Sequence, residues 1–557
     1  MRGMFGLWFN GLITKDNERM LPFVFSPAYA EIHYRFRYFF SLLKKREPEI
    51  IADVPYRIEK FAHLPVLVII KDAHRFPITL LGAEIFIDGE KVFSQKFKRI
   101  IKNHFQEMIF EIPTDKQKTG LRRITVKCNY SVRGKKRTCI NDNYRGTGKM
   151  PLSCYFADEP LPNEPEFVFG DLHSHSSFTE DQIEFGAGLS TMQRMAKAIG
   201  LQFFAVTDHA YDLDDLPDNY LKNDVRLSKW HKFLKSCRRL NAQTVGPVIL
   251  YGEELSVGNS KGRNAHLLIL NNPGFIEGKG DSGERWFRFK PDHQLFEMPA
   301  LLSEQAVAIP AHSAEKVPLL QKWLLNRGEW HQADLQHTFF TLLQSINGGS
   351  ENEINAGITQ WVNLLLQGRR LTLVAGNDAH GNFARTRQIG IPFVTMSETD
   401  VHRFGVWRTG IWVGEAPAKK PEKILAALKQ GQVMVTNGPF VCFEALSNGK
   451  TIPMGGLTKG VESVRLIFRS SKEFGALDYL EILGGNLEGH AESVLWHKRF
   501  EPDQIFTLRE KITLHLSAKI GYIRCRAISK SGQRRFMALT NAIYLGKEKN
   551  DRLSYDF

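Results

Sequence analysis

Cysteine is scarce in this chain and falls into no pattern: six residues among 557, with no CxxC pair. Cys128, Cys139, Cys154, Cys237, Cys442 and Cys525 are scattered, which argues against a disulfide frame or a zinc ribbon. They read as buried free thiols in a reducing compartment. Long hydrophobic runs are missing as well. The opening MRGMFGLWFNGLITKDNE has one early Arg, a broken apolar stretch of about ten residues and no small-residue cleavage site, and it is too short to span a bilayer. A cytoplasmic protein without a membrane partner is the expectation. There is no Gly-rich phosphate loop, nucleophile elbow or dinucleotide fingerprint, since Gly252-Glu-Glu and Asn347-Gly-Gly fail those templates. Internal repeats and low-complexity tracts are absent too, and nothing in the sequence sets an oligomeric state.

What is present is ordinary in bulk: 43% apolar and 24% charged residues describe a globular protein, and the length predicts two to four domains. The formal net charge of +14 favours acidic partners or substrates. Basic runs at Lys44-Lys45-Arg46 and from Arg133 to Arg137 read first as solvated surface. No aromatic–basic interleaving accompanies them, so a nucleic-acid partner has no motif behind it.

Residues 1–55 read as irregular to helical, with YAEIHYRFRYFFSLLKKREPE as an amphipathic helix. From about residue 56 to 160, short runs such as LPVLVII, ITLLGAEIFIDG and RRITVKCNYSV alternate with turn residues and predict an antiparallel β-sandwich. The Pro-rich, acidic stretch from Ala157 to Pro165 reads as a linker. Between 165 and 440, strand-like and helix-like stretches alternate, predicting parallel strands with crossover helices. Residues 275–298 interrupt that rhythm as an insertion, with Trp286, Phe287, Phe289 and Phe296 as a lid or an apolar pocket wall. From 441 to 557 the β-rich style returns and predicts a second small sandwich.

The chemistry sits in the middle. Asp171-Leu-His173-Ser-His175, Thr207-Asp208-His209, Gly252-Glu253-Glu254, Ala265-His266, Pro310-Ala-His312 and Asn377-Asp378-Ala-His380 each close a short apolar run or lie just beyond it. Residues i and i+2 of a strand share a face, so His173 and His175, or Asp378 and His380, can reach one ion. A mixed His/Asp/Glu set suits Zn²⁺, Mn²⁺ or Fe²⁺ better than Mg²⁺ or Ca²⁺. Singly these histidines mean little; at successive strand ends they predict a multinuclear metal site at one mouth of an α/β barrel.

GDLHSHSSFTED, FAVTDH, YGEELS with NAHLLIL, AIPAH and GNDAH resemble the successive motifs of the PHP (polymerase and histidinol phosphatase) superfamily. DAHGNFARTRQ and ILAALKQGQVMVTNGPF are similar to its CehA/McbA branch of metal-dependent hydrolases. The resemblance covers about residues 165–440, and the flanking sandwiches fit that branch more loosely. It implies an α/β fold, a distorted (β/α)7 TIM-like barrel flanked by two small β-sandwich-like domains, holding three divalent ions. One ion would take His173, His175, Glu254 and Asp378. A second would share Glu254 and add His266 and His312. The third would take His209, His380 and an acid after the first motif, either Glu180 or Asp181. Asp208 reads as a supporting carboxylate rather than a ligand.

Three divalent ions against the carboxylates of Glu180, Glu254 and Asp378 leave about three positive charges in excess, which suits an anionic small-molecule substrate. Arg385 and Arg387, and more remotely Lys261 and Arg263, are candidates to reach a phosphate oxygen. The expected activity is phosphoester hydrolysis by a metal-bridging hydroxide, with Asp378 or His209 shuttling the proton. Two other readings stand beside it. One is a CehA-like hydrolase of carboxylic or carbamate esters and amides, served by the same hydroxide. The other is a non-catalytic binding or scaffold protein on the same fold.

Overall fold

The computed structural model describes residues 47–546 apart from 61–62, 115–116, 144–148, 180–184, 217–218, 244, 281–289, 386–387, 392–393, 398–401 and 415–419. The chain is mixed α/β, with many more strands than helices. Most of the amphipathic helix expected near the amino terminus lies outside the described residues. At its end the expectation changes: Glu49–Asp53 is a fully buried strand, paired antiparallel with Leu64–Lys71. The apolar residues of EIIAD find a partner ladder there, which local helical periodicity cannot anticipate.

Leu64–Lys71 explains how the amino-terminal β unit meets the rest of the chain. Successive side chains of a strand point to opposite faces, yet all eight residues of this one are buried. Val66, Val68 and Ile70 join a core with Leu80, Ile85, Ile124 and Val126 of a second, six-stranded sheet. Leu67 and Ile69, on the other face, pack in a different core with Met192, Met195 and Ile199 of the Leu189–Ile199 helix. One continuous apolar run therefore serves two cores.

That helix buries Leu189, Met192, Met195, Ala196 and Ile199, one face of a 3.6-residue repeat. It stops at Gly200, whose φ of 99° is the left-handed conformation that glycine adopts without strain. Gly188 offers its amino end no side-chain cap. Glu107 of the amino-terminal unit supplies one, accepting from Gly188 N at 2.7 Å and Thr191 Oγ1 at 2.9 Å.

Phe167–Asp171, Phe203–His209 and Val248–Gly258 pair in parallel, as the alternating pattern predicts. The helices Leu189–Ile199 and Ser228–Ala242 lie between them in sequence. The next strand departs from that pattern. Asn264–Leu270 runs antiparallel to Val248–Gly258, because the five residues between them are too few for a crossover helix. Val307–Pro310 is antiparallel in turn to Asn264–Leu270. Leu342–Asn347 and Thr372–Gly376 form a separate parallel pair across the Glu351–Leu366 helix. Val307–Pro310 lies beside Leu342–Asn347, and Thr372–Gly376 lies beside Arg408–Trp412 and Val433–Thr436.

The carboxy-terminal strands continue the same sheet across residue 440. Arg408–Trp412 pairs antiparallel with Phe167–Asp171, then Val433–Thr436 with Arg408–Trp412, and Arg534–Thr540 with Val433–Thr436. A four-stranded sheet containing Phe440–Ser447 packs nearby, with Phe440 and Phe443 in the same core as Leu480 and Ile482. Among the described residues, no helix is long and apolar enough to cross a membrane. All six cysteines are buried and unbonded.

Candidate metal centre

The strand Phe167–Asp171 ends on a carboxylate that organises its neighbours. Asp171 Oδ1 accepts from His173 N at 3.1 Å, and Oδ2 accepts from Asn377 Nδ2 at 2.8 Å and Gly405 N at 2.9 Å. Burial pushes its pKa up to about 6. Two histidine segments are thereby tied together, and Ser174–His175 pairs in parallel with Ala379–His380. His175 and His380 consequently stack, with ring centroids 4.1 Å apart. His173 and His175 turn to the same place, Nε2 to Nε2 at 3.3 Å.

Glu254 is the hub. It stands opposite His209 in the parallel ladder and two residues from Ser256, which stands opposite His266. All four therefore face one side of the sheet. Glu254 Oε2 lies 3.4 Å from His173 Nε2, 3.3 Å from His175 Nε2 and 3.5 Å from His209 Nε2. Its Oε1 lies 2.6 Å from His266 Nδ1 and 3.3 Å from His312 Nε2. Asp378 Oδ1 completes the first group, 3.3 Å from His173 Nε2 and 3.0 Å from His175 Nε2.

An ion about 2.0–2.1 Å from four tetrahedral ligands spaces them about 3.3–3.4 Å apart. The His–His and His–carboxylate separations among His173, His175, Glu254 and Asp378 run from 3.0 to 3.4 Å. Glu254 with His266 and His312, and His175 with His209 and His380, form two further groups whose ligand atoms lie within 4.8 Å of one another. His380 Nε2 is buried and has no hydrogen-bond partner among the described residues. The donor set thus fits a divalent ion in the first two places, while the third shares His175 with the first and has His209 and His380 of its own.

Supporting contacts aim the ligands. Gln344 Oε1 lies 3.0 Å from His173 Nδ1, leaving Nε2 for the centre, and Gln344 Nε2 donates to Asn347 Oδ1. Asp212 Oδ2 lies 3.4 Å from His209 Nδ1, and Glu315 Oε2 lies 2.9 Å from His312 Nδ1. Gly376 makes room: a Cβ there would sit 2.6 Å from His173 Cβ. Asp378 and His312 hold φ of 52° and 31°, conformations that cost residues other than glycine about 1–3 kcal/mol and are kept where the surroundings dictate them.

The buried acids and imidazoles shift one another's pKa values. Burial opposes charge on His175, but Asp378 and Glu254 outweigh it and hold its pKa up at about 10. His312 is held at about 10 in the same way, against burial, by Glu315 and Glu254. Burial and the neighbouring His175 charge push His209 down to about 3. Against burial, His266 and His173 hold Glu254 well below the usual carboxylate range. The acids around His175 and His312 thus favour positive charge at both rings. Ligation needs neutral imidazoles, so loading with Zn²⁺ at pH 7–8 is expected to release protons. Calorimetry in buffers of different ionisation enthalpy reads this, and a heat independent of buffer would contradict it.

The expected residues divide clearly. His173, His175, His209, Glu254, His266, His312, Asp378 and His380 converge. Glu180, Asp181 and Arg387 lie outside the described residues, as do Trp286, Phe287 and Phe289 of the insertion, while Phe296 is exposed. Asp208 accepts from Ser176 N at 2.6 Å, Ser176 Oγ at 2.6 Å and Thr179 Oγ1 at 2.9 Å, bracing the first motif. Glu253 faces the opposite side, where burial raises its pKa well above normal and Ile276 N donates to it.

Arg385 is buried beneath the centre rather than presented to a substrate. Its Nη2 donates to His380 O at 3.0 Å, its Nε lies 3.7 Å from Asp53 Oδ2, and its guanidinium covers the Phe185 ring. Lys261 is exposed and Arg263 half-buried on the turn before His266. Among the described residues, Arg327, which the motifs do not mark, is a cation brought to the ligands. Asn264 N donates to Asn326 O and Gly328 N to Asn264 O, pinning this loop to the strand that carries His266. Arg327 Nη2 lies 3.2 Å from His266 Nδ1, in a small pocket shared with His312 and Glu315.

No family model and no curated protein matches the chain. Among solved structures, it is similar to the β-glucuronidase of Parabacteroides merdae at 10% identity and a TM-score of 0.16, over 90% of this chain and 66% of that one. It is also similar to the FMN-binding β-glucuronidase of Facaelibacterium prausnitzii L2-6 at 10% identity and a TM-score of 0.18, over 89% and 73%. The chain spans about two thirds of the first enzyme's length, and likenesses at these TM-scores carry no argument about fold or activity.

Proposed function

We propose that this protein is a metal-dependent hydrolase, a phosphoesterase acting on a small anionic substrate at a three-ion centre. The observation that carries the reading is one carboxylate, Glu254, within 2.6–3.5 Å of five histidines from four separate segments of the chain. We further read residues 165–440 as the distorted (β/α)7 barrel of the PHP superfamily. Its neighbouring strands would then close around the centre, and the six buried thiols fit the cytoplasm. Bound divalent ions would supply an activated water and a Lewis acid for the electrophile.

The chain's own groups do the rest. Arg327 stands at the pocket beside His266, where its positive charge can attract a phosphoryl group. Asp378 keeps 28% exposure, against 2% for Glu254, which makes it the more open of the two ligand carboxylates to a proton from water. Gln344 and Glu315 hold the rings of His173 and His312 in orientation.

The test is turnover of p-nitrophenyl phosphate, bis-p-nitrophenyl phosphate and p-nitrophenyl acetate by protein loaded with Zn²⁺, Mn²⁺ or Fe²⁺. Phosphoester cleavage inhibited by inorganic phosphate is expected, with little acetate turnover. Arg327→Ala is expected to lower kcat/KM for phosphoesters by about 10- to 100-fold, the worth of about 1.5–3 kcal/mol for a hydrogen bond to a charged group. Acetate or carbamate turnover indifferent to phosphate and to Arg327 would instead support the neutral-ester reading.

A further inference from the structure

A second group of ligand-type side chains lies on the amino-terminal β unit and shares no residue with the Glu254 centre. Lys71 and Phe105 are the last register pair between Leu64–Lys71 and Phe105–Ile112. One step beyond, Asp72 N donates to His104 O at 2.7 Å, so Asp72 and His104 close the end of the ladder together. Asp72 then turns the chain with a φ of 63°. Its carbonyl accepts from Arg75 N at 3.1 Å and Phe76 N at 3.2 Å. That turn folds His74 back over His104, with ring centroids 4.9 Å apart at 61°. His104 Nε2 lies 3.6 Å from Asp72 Oδ1, and Asp72, His74 and His104 offer ligand atoms within 4.8 Å of one another.

We propose that Asp72, His74 and His104 form a separate site for a divalent transition ion of the Zn²⁺ class. Two ligands of one ion lie at most about 4.2–4.4 Å apart, so the trio is within a small rotamer adjustment of ligation. Asp72 is fully buried, while His74 is exposed where an ion from solvent can reach it. Two imidazoles with one carboxylate suit Zn²⁺, Cu²⁺ or Ni²⁺ rather than Mg²⁺ or Ca²⁺, with water filling the remaining positions. Bound there, the ion clips two turns at the ladder end. The strand that begins beside His104 carries Glu107, the cap of the Leu189–Ile199 helix.

The experiment is equilibrium dialysis of full-length protein against Zn²⁺ followed by elemental analysis and a phosphoester assay. H74A/H104A is expected to hold one zinc ion fewer per chain than the parent, with unchanged turnover, and H74A alone to bind that ion more weakly. The far-ultraviolet circular dichroism of each variant checks that it folds. Equal zinc content in parent and double variant overturns the proposal, and a fall in turnover with the lost ion overturns the separateness of the site. If the Glu254 centre held no metal, the parent would still bind one ion and the double variant none, so the two readings fail independently.

Discussion

Glu254→Gln is expected to abolish turnover and to empty at least two ion positions, although the side chain hardly changes shape. Glu254 is 2% exposed, and its two oxygens divide among His173, His175 and His209 on one side and His266 and His312 on the other. Replacing one oxygen with NH₂ removes the negative charge. It also points a donor at imidazole nitrogens that are meant to share a cation. Groups that only orient metal ligands cost about 10- to 100-fold when removed, so loss of a shared ligand should exceed that range. Elemental analysis beside a phosphoester assay measures both effects. Full metal content with normal turnover in Glu254→Gln would remove the hub from the mechanism.

Asp53→Ala is expected to have the second largest effect, from a residue remote in sequence. Asp53 is 1% exposed. Its Oδ1 accepts from Ala384 N at 3.0 Å and Arg385 N at 2.8 Å, and its Oδ2 accepts from Phe383 N at 2.9 Å. The Arg385 guanidinium stands beside the carboxylate and donates onward to the carbonyl of His380. Asp53 therefore positions the segment that leaves the ligand strand. Removing it strands four N–H groups, that of Val54 included, and a buried cation, a loss of about 3–5 kcal/mol for breaking a buried pair. A thermal melt should show a lowered midpoint, and the loaded protein should bind its His209–His380 ion more weakly. A melt and metal content equal to the parent's would show that the contact is incidental.

The grouping of the candidate ligands was legible in the sequence because strand geometry is local. A His-x-His at a strand end places two rings on one face whatever the distant fold does, and that is where His173 and His175 stand. Glu253 and Glu254 separate for the same reason, one to each side of the sheet. The antiparallel return of Asn264–Leu270 was also readable, in the short spacing between Glu254 and His266, but the alternation of neighbouring segments masked it. Gln344 left a faint signal as a polar side chain inside the apolar run LLQSIN.

Arg327, Asp53 and Glu107 left no such signal. Each reaches the site or its supporting helix through docking between segments far apart in the chain, and no local pattern encodes that. The same docking takes Arg385, which neighbours a ligand in sequence, under the centre and against Asp53.

Anomalous X-ray scattering, recorded at the absorption edge of the loaded metal from crystals of the 557-residue chain, tests the central claim most directly. Peaks are expected about 2.0–2.1 Å from His173 Nε2 and His175 Nε2, and again between Glu254, His266 and His312. A map without anomalous density among these side chains, in protein saturated with Zn²⁺ or Mn²⁺, would contradict it.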